Sequence, residues 1–123
     1  MKIINNKTDY LKILFNTDKF IIVDFFATWC NPCNKLTPIL ESLSKKFTDI
    51  IFIKIDIDNN DCSEISDLYN IESLPTLLFI KDKKSIDELK ICGLNSNLLE
   101  NNLIKCNNIY NENNISNENE TTY

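Results

Sequence analysis

Two cysteines three residues apart, Cys30 and Cys33, are the residues of this sequence best placed to do chemistry. On a helix this spacing brings two side chains to about 5–6 Å on one face, within the range that a disulfide can bridge. The segment lies between an apolar run that predicts a buried strand and an amphipathic stretch that predicts a helix. At a helix start, free N–H groups and the positive end of the helix dipole stabilise a thiolate. The pattern therefore predicts a redox-active dithiol/disulfide pair.

Half of a zinc site and two inert core thiols are the other interpretations of this pair. A structural zinc site needs four nitrogen or sulfur ligands. The chain has no His, and Cys62, Cys92 and Cys106 form no second close pair. We therefore expect neither a bound metal nor a cofactor. These three cysteines are expected to be small apolar fillers, with Cys92 a candidate for a place near the active pair and Cys106 a candidate for an exposed thiol.

The elements that must position the pair alternate along the chain between short apolar strands and amphipathic helices. Strands are predicted near residues 3–4 and over 20–26, 50–57, 76–80 and 85–92, and helices over 9–15, 30–47, 62–69 and 94–106. The turn over 81–84 has no glycine, so Asp82 or Lys83 must adopt a positive φ. This order predicts an α/β fold, a three-layer sandwich in which helices cover both faces of a mixed sheet of four to five strands. One domain is predicted over residues 1–106, followed by a disordered Asn/Glu-rich tail over 107–123.

Composition excludes several classes of function. The net charge is −5, and the lysines are scattered with no Arg among them, which is against nucleic-acid binding. No apolar run reaches the roughly 18 residues of a membrane span, and the N-terminus lacks the apolar core of a signal peptide. Five cysteines are an odd number, which is against a secreted disulfide framework. We expect a cytoplasmic protein that binds neither nucleic acid nor a membrane.

The segment from Val23 to Cys33, Val-Asp-Phe-Phe-Ala-Thr-Trp-Cys-Asn-Pro-Cys, resembles the active-site segment of the thioredoxin family. Downstream, Leu74-Pro75-Thr76-Leu77 is similar to the cis-proline loop of that family. Lys54 matches a lysine of the family's third strand, and Gly93 matches the glycine after its last strand. The resemblance spans about residues 10 to 103 and implies a thioredoxin-like form of the predicted sandwich. A lone C-x-x-C would be weak evidence, whereas this combination is specific.

The resemblance implies a division of labour among four catalytic residues. Cys30 would attack a substrate disulfide as a thiolate, and Cys33 would resolve the mixed disulfide. Asp24, buried beneath the pair, would accept the proton of Cys33 through water, and Lys54 would tune the pKa of Asp24. A carboxylate in an apolar strand has a raised pKa, which suits proton transfer near neutral pH.

A substrate-binding surface beside the pair is also implied by the resemblance. Pro75, in the cis form, would place the backbone of Leu74 where an extended substrate segment can pair with it, and Trp29 would cover the site. The implied substrate-binding residues are Trp29, Asn31, Pro32, Leu74, Pro75, Thr76 and Gly93. Asn31 replaces a common glycine of the family and Asn34 a common cation, and neither replacement removes a catalytic group.

Together these features predict a protein-disulfide reductase that acts as a monomer in electron transport and cell redox homeostasis. Its expected partners are oxidised protein substrates and, as electron donor, a flavin-dependent thioredoxin reductase. Two alternatives remain at this point. One is a disulfide oxidase or isomerase on the same fold. The other is a non-catalytic binding module that works within a larger assembly.

Overall fold

The computed structural model describes the backbone of residues 1–121 and the side chains of residues 1–112. In this part of the chain the strands are β1 (Lys2–Ile3), β2 (Ile21–Phe26), β3 (Ile51–Asp56), β4 (Thr76–Lys81), β5 (Lys84–Ser85) and β6 (Ile91–Cys92). The helices are α1 (Lys7–Phe15), α2 (Asn31–Lys46), α3 (Ser63–Leu68) and α4 (Ser96–Thr121). Short 3-10 turns over Asn60–Cys62 and Asp87–Leu89 precede α3 and separate β5 from β6.

The sheet is mixed, as the sequence predicts, and β2 lies at its centre. Strand β2 pairs in parallel with β3 and antiparallel with β4, and β1 extends the sheet in parallel beyond β3. Both β5 and β6 pair antiparallel with β4, so they share its free edge. The prediction of one strand over 85–92 is wrong, because the turn at Asp87–Leu89 interrupts it. Within the described residues the sheet therefore has six strands in five positions rather than four to five strands.

Two apolar layers hold helices against the two faces of the sheet. Side chains alternate along a strand, so Ile22 points to one face and Val23 to the other. The face of Ile22 packs against buried residues of α2 and α4, namely Leu36, Leu40, Leu99 and Leu103. The face of Val23 packs against buried residues of α1 and α3, namely Tyr10, Leu14 and Ile65. The predicted three-layer sandwich is thereby confirmed, with α2 and α4 together on one side.

The turn between β4 and β5 shows the predicted backbone conformation. Asp82 has φ 51° and Lys83 has φ 69°, both in the left-handed region. A two-residue hairpin loop with both φ values positive matches the right-handed twist of the flanking strands. The chain adopts it here without a glycine.

The last helix is longer than predicted, since α4 runs from Ser96 to Thr121 rather than ending at residue 106. Neither Gly nor Pro occurs between residues 107 and 121, so no residue there interrupts a helix. Within this extension Tyr110 is half-buried against the α2/α4 layer. The domain boundary at residue 107 stays a prediction, and residues 122 and 123 lie outside the described residues. None of the helices in the described part of the chain has both the length and the apolar character to cross a bilayer.

Candidate active site

Cys30 and Cys33 form a disulfide at the start of α2, with their Cα atoms 5.2 Å apart. A short loop leads from the end of β2 at Phe26 to Cys30, which is the N-cap residue of the helix. Pro32 stands in the first turn, where its missing N–H would have no intrahelical partner and its fixed φ suits the helix. The pair therefore lies at a strand-to-helix junction, as the sequence predicts.

The helix start brings one backbone hydrogen-bond donor and the positive end of the helix dipole to Cys30 Sγ. The backbone N–H of Cys33 donates to Cys30 Sγ at 3.2 Å. This contact and the dipole favour a negative charge on that sulfur when the disulfide is reduced. The side-chain amide of Asn34 donates to the Thr28 carbonyl at 3.3 Å, so the position after Cys33 supplies no positive charge.

Asp24 is a fully buried carboxylate in the middle of β2. Among the described residues, neither of its oxygens has a hydrogen-bond partner. By strand alternation its side chain shares a face with Ile22, and this is the face that α2 covers. Cys33 is a buried residue of α2, one turn before Leu36, so Asp24 and Cys33 project into the same layer. Burial raises the pKa of Asp24 from 3.8 to about 7, because the charged form loses its hydration.

Lys54 lies beside Asp24 on the neighbouring strand. The two residues are register partners in the parallel pair of β2 and β3, so their side chains point to the same face. The Lys54 ammonium lies 4.1 Å from the centroid of the Phe26 ring, in a cation–π contact. Its positive charge lowers the pKa of Asp24 and so partly opposes the effect of burial.

An open groove of about 470 Å³ runs beside the disulfide. Its lining residues are Trp29, Cys30, Asn31, Pro32, Ile57, Ile71, Glu72 and Leu74. Cys30 is 5% exposed and is part of this lining, whereas Cys33 is 1% exposed and is not. Trp29 forms a wall of the groove, is 68% exposed, and is held in place by its indole N–H, which donates to Asp58 at 2.8 Å. The groove therefore gives an incoming group access to Cys30 first.

The loop before β4 forms the side of the groove that Leu74 lines. The Leu74–Pro75 peptide bond is cis. The Gly93 N–H donates to the Pro75 carbonyl at 2.8 Å, and the Thr76 hydroxyl donates to the Ser73 carbonyl at 2.6 Å. Thr76 and Gly93 thus brace the loop rather than line the groove. Within the described residues, no hydrogen bond uses the backbone N–H or C=O of Leu74, which leaves both groups available to a ligand.

Four residues of the site were missed from the sequence: Ile57, Asp58, Ile71 and Glu72. They come from the segment after β3 and from the loop that precedes Leu74. Two features of the sequence could have indicated these residues. One pair lies at the carboxyl end of β3, and the other pair lies just before the Leu74-Pro75-Thr76 segment that carries the family resemblance. Both places lie at the same end of the sheet as Cys30, because β3 runs parallel to β2 and ends there, while β4 runs antiparallel to β2 and begins there.

The remaining cysteines occupy three different environments. Cys62 and Cys106 are fully buried, and burial raises the pKa of both thiols, that of Cys106 to about 12. The expectation of small apolar fillers is thus confirmed for Cys62 and Cys106, and the alternative of an exposed Cys106 is wrong, because its helix face packs into the α2/α4 layer. Cys92 is exposed and is the register partner of Thr76, which places it next to the braced loop.

Comparison with known proteins gives one consistent result. The chain matches the family model described as Thioredoxin over residues 1–105. It is 41% identical over 102 residues to a thioredoxin of Coprinus comatus, which covers 81% of this chain and 92% of that protein. It is 39% identical over 87 residues to an H-type thioredoxin of Oryza sativa subsp. indica, at 71% and 68% coverage. A solved structure of Plasmodium falciparum thioredoxin superposes with a TM-score of 0.78 at 35% identity and covers 85% of this chain and 98% of that one.

Proposed function

The chain belongs to the thioredoxin family of thiol-disulfide oxidoreductases, and we propose that it acts as a protein-disulfide reductase. The observation that carries this proposal is the placement of the Cys30–Cys33 pair at a helix start, in the layer that also holds the buried carboxylate of Asp24. A nucleophile that lines an open groove, a second buried thiol and a base with a pKa near neutrality are the parts that disulfide reduction needs.

Reduction proceeds through two exchange steps. The Cys30 thiolate attacks one sulfur of the substrate disulfide, which breaks that bond, forms a Cys30–substrate disulfide and releases the first substrate thiolate. Cys33 then loses its proton and attacks Cys30 Sγ, which forms the Cys30–Cys33 disulfide and releases the second thiolate. Two electrons pass from the dithiol to the substrate, and the two protons of the dithiol balance the two thiols released.

Asp24 is the proton acceptor for Cys33 in the second step. Both groups project into the layer between β2 and α2, and the carboxylate has no competing hydrogen bond among the described residues. With a pKa of about 7, Asp24 is ionised often enough to accept a proton and basic enough to hold it near neutral pH. Lys54 tunes this pKa through its charge, and the Phe26 ring positions its ammonium.

Substrates dock as extended segments along the loop that carries Pro75. The free N–H and C=O of Leu74 provide one backbone pairing site next to Cys30, in the manner of an added strand. Trp29, Asn31 and Pro32 contribute the facing wall of the groove. Thr76 and Gly93 act indirectly, because they hold the loop in position.

The reducing direction of this proposal is supported by the small number of positive charges next to the active pair. A dithiol pair becomes oxidising when its reduced form is strongly stabilised. Here the helix start favours the Cys30 thiolate, but the chain has no His and the position after Cys33 is the neutral Asn34. The pair therefore lacks the extra positive charge that would convert it into an oxidase.

The electron donor in this proposal is a flavin-dependent thioredoxin reductase, and the compartment is the cytoplasm. Three thiols besides the active pair remain unpaired, which suits a reducing compartment. Every group of the site comes from one chain, so a monomer suffices for turnover. The substrates are oxidised proteins rather than small disulfides alone, because the groove offers a backbone pairing site.

Turnover of a protein disulfide tests this function. Purified protein, a flavin-dependent thioredoxin reductase and NADPH are mixed with a disulfide-linked protein substrate, and NADPH consumption is followed together with the appearance of substrate thiols. We expect catalytic turnover, many substrate disulfides reduced per molecule. A parallel reaction with dithiothreitol as electron donor separates failure of the added reductase to recognise this chain from failure of the chain itself.

Absence of turnover with both electron donors would overturn the proposal and favour the non-catalytic binding module. Net formation of disulfides in a reduced substrate, in place of their reduction, would favour the oxidase.

A further inference from the structure

Resting on the proposed function, we propose that Glu72 makes the groove beside Cys30 selective for disulfides that have a basic residue, Lys or Arg, next to the reactive cysteine. Glu72 is exposed and lines the groove together with Cys30. The proposal concerns which protein substrates react fastest and leaves the exchange chemistry unchanged.

The charges around the groove are all of one sign. Glu72 is the one charged residue among the lining residues, and the others are apolar or neutral. A second carboxylate, Asp58, stands behind the Trp29 wall and accepts the hydrogen bond from its indole. An incoming positive side chain therefore meets one carboxylate directly and a second one nearby.

Among the residues whose side chains are described, no lysine lines the groove to offset these carboxylates. The ammonium of Lys54 lies over the Phe26 ring, on the sheet face that α2 covers. Lys35 is the lysine nearest to the pair in sequence, and it lies on α2 outside the groove lining. Asn34 is neutral and turned toward the Thr28 carbonyl. The summed charge around the groove is therefore negative, and the net charge of the chain is also negative, at −5.

The position of Glu72 also indicates where the basic residue must stand. Glu72 precedes the pairing residue Leu74 by two positions, so the two residues are at most about 7 Å apart along the chain. A substrate strand paired with Leu74 would present its cysteine to Cys30 and a residue one or two positions away to Glu72. Lys and Arg are long enough to reach a carboxylate from either position. The substrate class is thus a protein disulfide with Lys or Arg within two residues of the attacked cysteine.

The expected effect is modest, because Glu72 is exposed to solvent. An exposed charge pair changes a free energy by less than about 1 kcal/mol. Glu72→Gln should therefore lower the ratio of two rates, that for a disulfide with a neighbouring basic residue to that for one with a neutral neighbour, by about threefold. Glu72→Lys reverses the charge and should change the ratio about tenfold, since it removes an attraction and adds a repulsion. Both effects should shrink as salt is raised, because ions screen exposed charges.

Three synthetic peptide disulfides test the proposal. They share one sequence and differ in a single residue next to the cysteine, which is Lys, Gln or Glu. The pre-reduced full-length protein is mixed with each peptide, the reaction is quenched with acid, and the second-order rate constants are measured by chromatography. For the wild type we expect the order Lys, Gln, Glu from fastest to slowest. Glu72→Gln should flatten this order, and Glu72→Lys should reverse it.

Asp49 provides the matched control. Asp49 is exposed in the turn before β3. Asp58, which lies next to the groove, follows the other end of this strand, so the length of β3 separates Asp49 from the groove by about 20 Å. Asp49→Asn and Asp49→Lys change the net charge as the Glu72 variants do, and we expect them to keep the wild-type order of rates. Equal ratios in wild type and both Glu72 variants, with the neutral peptide still reduced, would overturn this inference alone. Failure to reduce any peptide would overturn the proposed function and this inference with it.

Discussion

Replacing Cys30 by serine is expected to abolish disulfide reduction, and replacing Cys33 by serine is expected to stop the reaction at a mixed disulfide. Cys30 is the sulfur that lines the groove, so no other group of the pair can begin the exchange. For Cys30→Ser we expect turnover to fall by at least about 1000-fold, as when an essential nucleophile is lost. Cys33→Ser keeps the nucleophile but lacks the resolving thiol, so it should accumulate one covalently bound substrate per molecule.

Intact-mass measurement checks both variants. After reaction with a peptide disulfide, Cys33→Ser should gain the mass of one peptide, and a reductant should remove it. Cys30→Ser should gain no peptide at residue 30. Because Cys92 is exposed next to the Pro75 loop, both variants are also made with Cys92→Ser, so that an adduct on Cys92 is not mistaken for the intermediate. Adduct formation by Cys30→Ser at the rate of Cys33→Ser would contradict the assignment of the nucleophile.

Replacing Asp24 by asparagine is expected to stabilise the oxidised protein by about 4 kcal/mol at pH 8.5. The pKa of Asp24 is about 7 in the folded protein and 3.8 without burial, and each pKa unit corresponds to about 1.4 kcal/mol. Between these values the folded protein holds a proton that the unfolded chain has released. The free energy of unfolding of the wild type therefore falls as pH rises through this window and levels off above pH 8. Asparagine has nearly the same shape but no charge to bury, so it removes this loss.

Denaturant unfolding of wild type and Asp24→Asn between pH 4 and pH 8.5 measures this effect. The two proteins should differ by less than about 1 kcal/mol at pH 4 and by the full amount at pH 8.5. Asp49→Asn, which alters an exposed carboxylate, is the control and should show no such dependence. A variant that is less stable than wild type at pH 8.5 would mean that the Asp24 charge is paired in the folded protein.

The same substitution should slow the resolving step. Asparagine cannot accept the proton of Cys33, so release of substrate from the mixed disulfide should slow by about 10- to 100-fold at pH 7. The loss should be smaller at pH 9, because a more alkaline solution favours ionisation of a thiol without the help of a base. A variant that is stabilised but resolves mixed disulfides at the wild-type rate would separate the two roles and remove Asp24 from the mechanism.

The features that were predictable from the sequence are those that local patterns encode. The apolar run of β2 and the helical periodicity of α2 placed Cys30 at a junction between them, and this placement is a physical reason to expect a reactive thiol there. The positive φ values of Asp82 and Lys83 followed from the length of the turn and the absence of glycine. Each of these predictions depends on residues that are close together in the chain.

The features that were missed depend on contacts between distant segments. Asp58 joins Cys30 in one site because the parallel strands β2 and β3 end at the same edge of the sheet, and Glu72 joins them because β4 is antiparallel to β2 and begins at that edge. The candidate exposure of Cys106 does not occur, because one turn earlier Leu103 packs in the same apolar layer and its helix face points inward. The end of α4 was placed at residue 106 from composition, and composition does not report that Tyr110 packs against the core.

Asn31 is the departure from the family pattern with the most direct bearing on function. It lines the groove and stands between the two cysteines, in the first turn of α2. Residues at this position lie close to the Cys30 sulfur and so affect the balance between thiolate and disulfide. The Asn31→Gly variant restores the common residue of the family, and its difference from wild type measures what the asparagine contributes.

The reduction potential of the Cys30–Cys33 couple tests the central claim most directly. The protein, carrying Cys92→Ser to remove the exposed thiol, is equilibrated with buffers that contain reduced and oxidised dithiothreitol in known ratios. The free thiols are then alkylated, and the amounts of oxidised and reduced protein are measured by mass. A reductase requires a potential near the roughly −270 mV that is typical of thioredoxins, and this is the result we predict. A value above roughly −200 mV would identify an oxidising pair, and the absence of a reversible two-electron couple would show that these cysteines are not redox-active at all.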